Sequence, residues 1–548
     1  MTFLTGLLNN RLQRLLTVIM LVAGLTWLYL WWRILDHTLS AYFQAGGFWL
    51  GLLLFLSGLV PGPNGSGKTG RLEFTAGALL MLLWLFLAFV YGITTADDKF
   101  QAAKAEVRDA KMEQIDIKHI PSVPKAFAKY KGDKMLGQVP NFSYYQMGDY
   151  SIQKIDNELV WVAPIEYNGF FKALSAKAVT AYVKISAEDE NAPAELLSGY
   201  SMKYVPSGYF SGNIYRHIRA DYPAAVLYEA SFEPKDDGTP VYVVPYGHYE
   251  KFRNVPFVDG VFLVDPESGT IEQYSTDQVP AFVDQVIPTY IADTYNTYFG
   301  KYKHGFLNSI IGKKDLHMPT TWEEGDEVVA VFDQEGNMSW FTDHTTLDET
   351  SKSLVGYSLI NARSGKFTYY GGQTVSSSGL ANGSAAISSV NKTFIKDQWT
   401  GTSPTLYNIY GEDTWFVPVI DGNGLLRELA LVNAKNPQIL AHHKNKASAF
   451  ASYKNLLVSF GSGQMDPTST AQQKETQGRI VRVSFVSEGA DLRVKWMMEN
   501  SDKVFVVLES QYPYAGFLQA GDQVQVQYVD TEELVVTASK VVNLTVNK

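Results

Sequence analysis

Three apolar runs within residues 1–95 constrain this chain more than any other feature. Residues 15–35 (LLTVIMLVAGLTWLYLWWRIL) are interrupted only by Arg33, and residues 74–94 (FTAGALLMLLWLFLAFVYGIT) carry no charge. Each reaches the roughly 20 residues an α-helix needs to cross about 30 Å of hydrocarbon. Residues 42–60 (YFQAGGFWLGLLLFLSGLV) reach that length when their Gly-rich start is included. One such run reads equally well as a buried core helix, but three in succession without a charged face read as transmembrane helices. A signal peptide has a shorter apolar stretch and a small-residue cleavage site, so the first run reads as a retained anchor.

Arg11 and Arg14 precede the first run, Lys68 and Arg71 separate the second from the third, and residues 36–41 hold no Lys or Arg. Basic flanks stay in the cytoplasm, which puts the N-terminus inside and the large C-terminal part outside. The expectation is an integral protein of a cytoplasmic or inner membrane, with the lipid bilayer as its first partner.

The whole chain of 548 residues is 46% hydrophobic, 13% aromatic and 19% charged, enough for several packed domains and unlike a disordered chain. A net charge of −10 is the wrong sign for neutralising phosphates, so no nucleic-acid partner is expected. With no cysteine there are no disulfides, thiolate metal sites or cysteine nucleophiles.

Residues 97–115 (DDKFQAAKAEVRDAKMEQI) are charged and rich in helix formers, which predicts a helical stalk over 96–125. From 126 to 280 and from 281 to 460, strand-like runs recur with one grammar. LVWVAP (159–164) precedes AYVKIS (181–186), VYVVP (241–245) precedes VFLVDPESG (261–269), and TWFVP (414–418) precedes LALVNAKN (429–436). YSLINARSGK (357–366) is a related run. Each reads as a β-hairpin with Asp, Asn and Gly in the turn, and proline at a strand end or edge. Helices are predicted over 283–299, 384–394 and 446–460, the last with Phe450, Tyr453, Leu457 and Phe460 on one core-facing side. A polar linker over 461–478 leads to five strand-like runs in 479–548, the size of a small OB or SH3-like barrel. That barrel carries seven Lys and Arg against nine Asp and Glu, and its exposed edges are expected to dock other subunits.

The fold class expected is therefore an α-helical membrane anchor, an α+β ectodomain of duplicated antiparallel-sheet and helix modules, and a C-terminal small β-barrel. Val264-Asp265-Pro266-Glu267-Ser268-Gly269, followed by Thr270-Ile271, resembles the strand–DPxTG–strand hairpin of PepSY domains. Asn361-Ala362-Arg363-Ser364-Gly365-Lys366 looks like a second copy. The resemblance implies small helix-plus-sheet modules of bacterial envelope proteins, often regulatory or inhibitory, and it assigns no functional residue.

Motifs that carry chemistry are few. Residues 62–69 (GPNGSGKT) match G-x-x-x-x-G-K-[ST], but a phosphate loop works between a strand and a helix, whereas this one joins two membrane segments. Asp343, His344 and Ser351 hold the atoms of a nucleophilic triad in a short stretch, and triads are defined across a fold rather than along a loop. Glu323, Glu324, Asp326 and Glu327 lack ordered Ca²⁺-ligand spacing, and His442 and His443, adjacent on a strand, face opposite ways. Residues 298–314 (YFGKYKHGFLNSIIGKK) are aromatic, basic and amphipathic, suited to a membrane surface or a partner as well as to a core.

No catalytic residue, metal or cofactor is assigned. The leading expectation is a non-enzymatic envelope protein that binds or scaffolds envelope proteins or copies of itself. The alternative is an envelope hydrolase acting on peptide or cell-wall material, with Asp343 and His344 as first suspects. A nucleotide-dependent membrane machine using 62–69 ranks third. A topology reporter fused after Lys99 is expected to be active only outside the cytoplasm; activity confined to the cytoplasm contradicts the orientation.

Overall fold

Two of the apolar runs form long helices packed side by side. In the computed structural model, which describes residues 24, 34–59, 67–113, 120–322, 328–348, 350–460, 472–488, 491–509, 512–530 and 534–546, they are Leu39–Leu59 and Gly67–Leu85. The second continues through a π-helical turn, Phe86–Val90, to Thr94. Both are long and apolar enough to cross a membrane, and few of their residues are buried within the protein. The first run, 15–35, falls almost wholly outside the described residues, as do residues 62–66 of the phosphate-loop string; its Gly67, Lys68 and Thr69 open a helix.

Glycines set the distance between the two helices. A Cβ at Gly58 would lie 2.4 Å from Phe74 N, and one at Gly77 would lie 2.3 Å from Phe55 N. Only glycine lets backbones meet so closely, as small residues do at membrane-helix contacts. At the other end, the loop after strand Tyr242–Glu250 grips both helices. Arg253 pairs with the buried Asp36 at 2.9 Å, and Lys251 with Asp98 at 3.1 Å.

The predicted stalk is corrected. The helix Ala96–Ala102 ends early, and Glu106–Arg108 is a strand running parallel to Phe367–Tyr370. Tertiary pairing outweighs the helix propensity of this stretch.

Four antiparallel-based sheets follow. In the first, Tyr145–Met147, Glu158–Tyr167, Val179–Ser186 and Glu195–Met202 lie in that order, and Ser151–Ile155 also pairs with Glu158–Tyr167. The second (Val226–Leu227, Tyr242–Glu250, Val255–Val264, Ile271–Ser275, with Ser231–Phe232) has the same order. So does the fourth (Thr400–Gly401, Glu412–Ile420, Leu426–Asn433, Leu440–His443, with Thr405–Ile409). The third repeats it with Met318–Pro319, Met338–Thr345, Gly356–Asn361 and Phe367–Tyr370, plus Val329–Phe332, and adds Glu106–Arg108 at its edge.

In every sheet the long strand is flanked on one side by two short strands with a gap between them. Prolines explain the gap, and they are not at strand ends as expected. Pro164, Pro245 and Pro418 sit inside the long strands, where a missing N–H breaks the ladder to one neighbour. Their carbonyls still accept a bond from the departing chain: Gly148 N at 2.8 Å, Tyr228 N at 2.9 Å and Thr402 N at 2.9 Å. In the third sheet Asp343 occupies this place, accepting from Thr320 N at 2.8 Å.

A helix precedes each sheet: Lys125–Leu136, Ile214–Asp221, Thr289–Tyr302 and Gly383–Thr393. The third begins only after Pro288, later than predicted at 283, because the residue before a proline is biased away from helix and Val283 and Val286 are buried against the second sheet. The chain entering each helix is pinned to a carbonyl beyond the next-but-one long strand. Ala187 O accepts from Val123 N (3.0 Å), Pro266 O from Tyr204 N (3.0 Å), Ala362 O from Ile287 N (2.8 Å) and Ala434 O from Ala381 N (2.7 Å).

Helix Lys446–Ser459 buries Phe450, Tyr453 and Leu457 as expected, but Phe460 lies beyond its end and is 42% exposed. It leans on strand Val535–Asn543 of a closed five-stranded barrel, Gln472–Glu488, Asp491–Met498, Val504–Leu508, Val535–Asn543 and Gln523–Asp530 in spatial order. Residues 472–478 of the predicted linker belong to its first strand. Closure pairs every strand on both sides, so the free edges expected to dock a partner are absent from this ring.

Two buried carboxyls tie the first and second sheets to the segment that leads into helix Thr289–Tyr302. Glu233, after Ser231–Phe232, accepts from Ser231 Oγ (2.6 Å) and Asp284 N (2.7 Å), while Asp284 accepts from Lys154 N (2.7 Å). Burial, then the neighbouring Asp284, pushes the Glu233 carboxyl up to about 8; burial pushes Asp284 up to about 6. A folded state that holds a proton more tightly than the unfolded chain is fully supported by it below the ordinary carboxylate range, near pH 4, and loses that support as pH rises to about 8. The urea midpoint is therefore expected to fall across this window, and Glu233→Gln to flatten the fall; an unchanged slope contradicts the assignment.

Gly77→Leu is expected to cost about 1–3 kcal/mol through overpacking, read as a lower thermal midpoint of the detergent-solubilised chain. Gly46→Leu, whose Cβ meets nothing within 4 Å, is expected to leave it unchanged. Equal midpoints for the two variants contradict the close packing.

Candidate active site

The gaps beside the interior prolines open onto one cavity of about 830 Å³, and each of the four long strands contributes to its wall through Glu166, Tyr242, Trp340 and Phe416. The segments that leave the ladder line it too, bringing the exposed carboxylates Asp149 and Glu229. Interior prolines thus turn main chain that would be sheet into the rim of a cleft.

Glu166 is the polar group held most firmly there. It lies two residues beyond Pro164, and a Cβ at Gly148 would come within 2.8 Å of its Cγ, so only glycine fits in front of it. Tyr242 OH donates to Oε1 at 2.7 Å, Ser207 N donates to Oε2 at 3.0 Å, and Ser207 Oγ donates to the same oxygen. Burial raises its pKa against these three donors, and the charge of Asp149 pushes in the same direction. Two carboxyls of one cavity therefore occupy opposite environments: Glu166 is buried and biased toward its protonated form, while Asp149 is exposed. That division suits an acid and a base acting on one substrate. Trp161, Tyr290 and Trp340 add flat apolar surface to the walls.

The first suspects are placed elsewhere. Asp343 and His344 are neighbours on strand Met338–Thr345 and point apart. Asp343 Oδ2 accepts from Gly383 N at 3.0 Å, at the start of helix Gly383–Thr393, and burial pushes it up to about 6. His344 instead enters a buried chain: its Nδ1 is 2.9 Å from His317 Nδ1, its Nε2 is 3.1 Å from Asn296 Oδ1, and Ser358 Oγ donates to that oxygen at 2.6 Å. Burial drives both imidazoles toward the neutral form. Ser351 lies in another loop and accepts from Ser353 N, so no triad forms.

His442 and His443 also diverge. His442 faces Glu428 and the Phe394 ring, and His443 accepts from Asn445 N. Glu323, Glu324, Asp326 and Glu327 lie outside the described residues. Among the described residues no group of three or more His, Asp or Glu side chains is arranged to hold a metal ion.

Sequence reasoning passed over Glu166, Asp149, Ser207 and Tyr242. The available signal was a lone Glu inside an apolar strand, in WVAPIEY over 161–167, where a buried carboxyl needs a reason.

No protein-family model matches the chain, and no curated protein matches it. Among solved structures, a putative glycosidase from Bacteroides thetaiotaomicron VPI-5482 is similar at 10% identity and a TM-score of 0.17, over 75% of this chain and 98% of its own. A glycosyl hydrolase from Bacteroides ovatus is similar at 10% identity and a TM-score of 0.18, over 73% and 95%. A sialidase is similar at 8% identity and a TM-score of 0.14, over 70% of this chain and 43% of that one. The three neighbours are described as a putative glycosidase, a glycosyl hydrolase and a sialidase, which stands against the expected non-enzymatic scaffold; at these TM-scores the likeness assigns this chain no activity.

Proposed function

We propose that the chain is a membrane-anchored hydrolase whose central cavity cleaves glycosidic bonds of cell-wall material. The observation that carries the reading is Glu166, a buried carboxyl with a raised pKa in a cavity that also holds the exposed Asp149. Glu166 gives its proton to the leaving sugar oxygen, and Asp149 takes a proton from the attacking water. Trp161, Trp340 and Tyr290 supply faces against which sugar rings pack. Ser207 and Tyr242 act as positioning residues through Glu166.

The orientation has support as well. Lys68 and Arg71 belong to the turn end of the helix pair, whereas Asp36 and Asp98 sit at the end joined to the sheets. Basic residues at the far end favour a cytoplasmic turn and an extracytoplasmic cavity. The shared strand order and the equivalent carbonyl contacts support descent of the four sheets from one duplicated module. The order of the barrel, with Val504–Leu508 and Val535–Asn543, third and fifth along the chain, running parallel, supports the OB type.

Glu166→Gln keeps the shape of the side chain and removes its proton. Release of new reducing ends from purified cell-wall glycan by the solubilised chain is expected to fall by about 10²–10⁴-fold, with the thermal midpoint nearly unchanged. Equal activity in the variant, or cleavage of the peptide portion alone, overturns the reading.

A further inference from the structure

Beside the point where the second apolar helix ends, a short element exposes large aliphatic side chains next to lysines. Helix Ala96–Ala102 follows the apolar helix directly and packs on Thr289–Tyr302, with Phe100 stacked on Phe299 at 5.9 Å. Lys99 clamps the junction: its Nζ donates to Gly92 O at 2.9 Å and sits 5.6 Å from the rings of Tyr298 and Tyr302. The chain then turns through Gly305–Leu307 into a π-helical turn, Asn308–Gly312. A Cβ at Gly305 would lie 3.4 Å from Asp97 Oδ1, three residues past Thr94 and so roughly 4–5 Å of helical rise beyond the apolar helix.

This element is built, not frayed. Lys313 N donates to Asn308 O at 2.7 Å, and Asn308 Oδ1 accepts from Lys314 N at 3.0 Å while its Nδ2 donates to Lys314 O at 2.9 Å. It nevertheless leaves Leu307 72%, Ile310 54% and Ile311 79% exposed. Lys303, Lys313 and Lys314 are exposed around them; of the neighbouring acids, Asp315 is bonded to His304 at 2.9 Å and Asp98 to Lys251 at 3.1 Å, while Asp97 is exposed, so lysines outnumber the acids around the tips.

We infer that residues 303–314 form a foot that rests on the membrane, with Leu307, Ile310 and Ile311 inserted among the acyl chains and the lysines on anionic headgroups. Aliphatic tips ringed by lysine are the chemistry of an interfacial anchor, and the fixed contact with the membrane-exit helix supplies the location. The foot holds the cavity at a set height and tilt above the bilayer. The inference rests on the apolar helices spanning a membrane.

Because the chain has no cysteine, single-cysteine variants report cleanly. The full-length protein is reconstituted in phosphatidylcholine–phosphatidylglycerol vesicles and labelled with an environment-sensitive fluorophore at Ile311→Cys, Leu82→Cys or Ile395→Cys. Leu82 is an exposed residue of the apolar helix and Ile395 is exposed after helix Gly383–Thr393. Spin-labelled lipid is expected to quench positions 311 and 82 strongly and 395 hardly at all, and quenching at 311 to weaken in phosphatidylcholine alone. Quenching at 82 without quenching at 311 overturns the foot and leaves the anchor standing. Protection of 311 from aqueous iodide without lipid quenching also overturns it, in favour of a protein partner. No quenching at 82 overturns the anchor reading itself.

Discussion

The rest of the structure depends on a hydrogen bond that cannot be made. Pro164, Pro245 and Pro418 stand in the middle of long strands, where the missing N–H faces a neighbouring strand. The neighbour pairs up to that point, leaves the ladder and rejoins it beyond. The proline carbonyl still holds the first residue that leaves, so the detour begins at a fixed place. A sheet with this interruption gains a loop on its face without losing its register. Three such loops, in the first, second and fourth sheets, meet around a common cavity, and the third sheet adds Val328, Val329, Ala330 and Trp340 to its wall.

The cost of building a cavity this way is polar main chain and carboxyl groups taken out of water, and hydrogen bonds offset it at Glu233, Asp284 and Glu166. Glu233 and Asp284 accept backbone N–H groups and so make the relative placement of the first and second sheets a matter of directional bonds. Glu166 is satisfied by Ser207 and Tyr242, from two different sheets' surroundings, yet burial still biases it toward its proton. The apolar helix pair, joined to the sheets by Asp36–Arg253 and held together by glycine contacts, is fixed in the same way.

Much of this was legible in the residues and some was not. Apolar length alone located the helices Leu39–Leu59 and Gly67–Leu85, and alternation with turn residues located the hairpins at 158–186, 242–264 and 412–433. The stalk failed because Glu106–Arg108 is made a strand by a partner more than 250 residues away, which local propensity cannot register. The prolines were visible, but a rule that sends them to strand ends hides an interior proline whose partner strand is broken. Asp343 and His344 drew attention by adjacency, and strand geometry sends them to different neighbours. Glu166 was passed over because one carboxyl in an apolar run matches no motif; its meaning comes from Ser207 and Tyr242, far away in sequence.

The most direct test of the central claim is where a substrate fragment binds. A structure of the full chain carrying Glu166→Gln, determined with a cell-wall glycan fragment at saturating concentration, is expected to show a sugar ring in the central cavity with its glycosidic oxygen within hydrogen-bond distance of residue 166. A fragment bound elsewhere, or an empty cavity beside saturating ligand, contradicts the account.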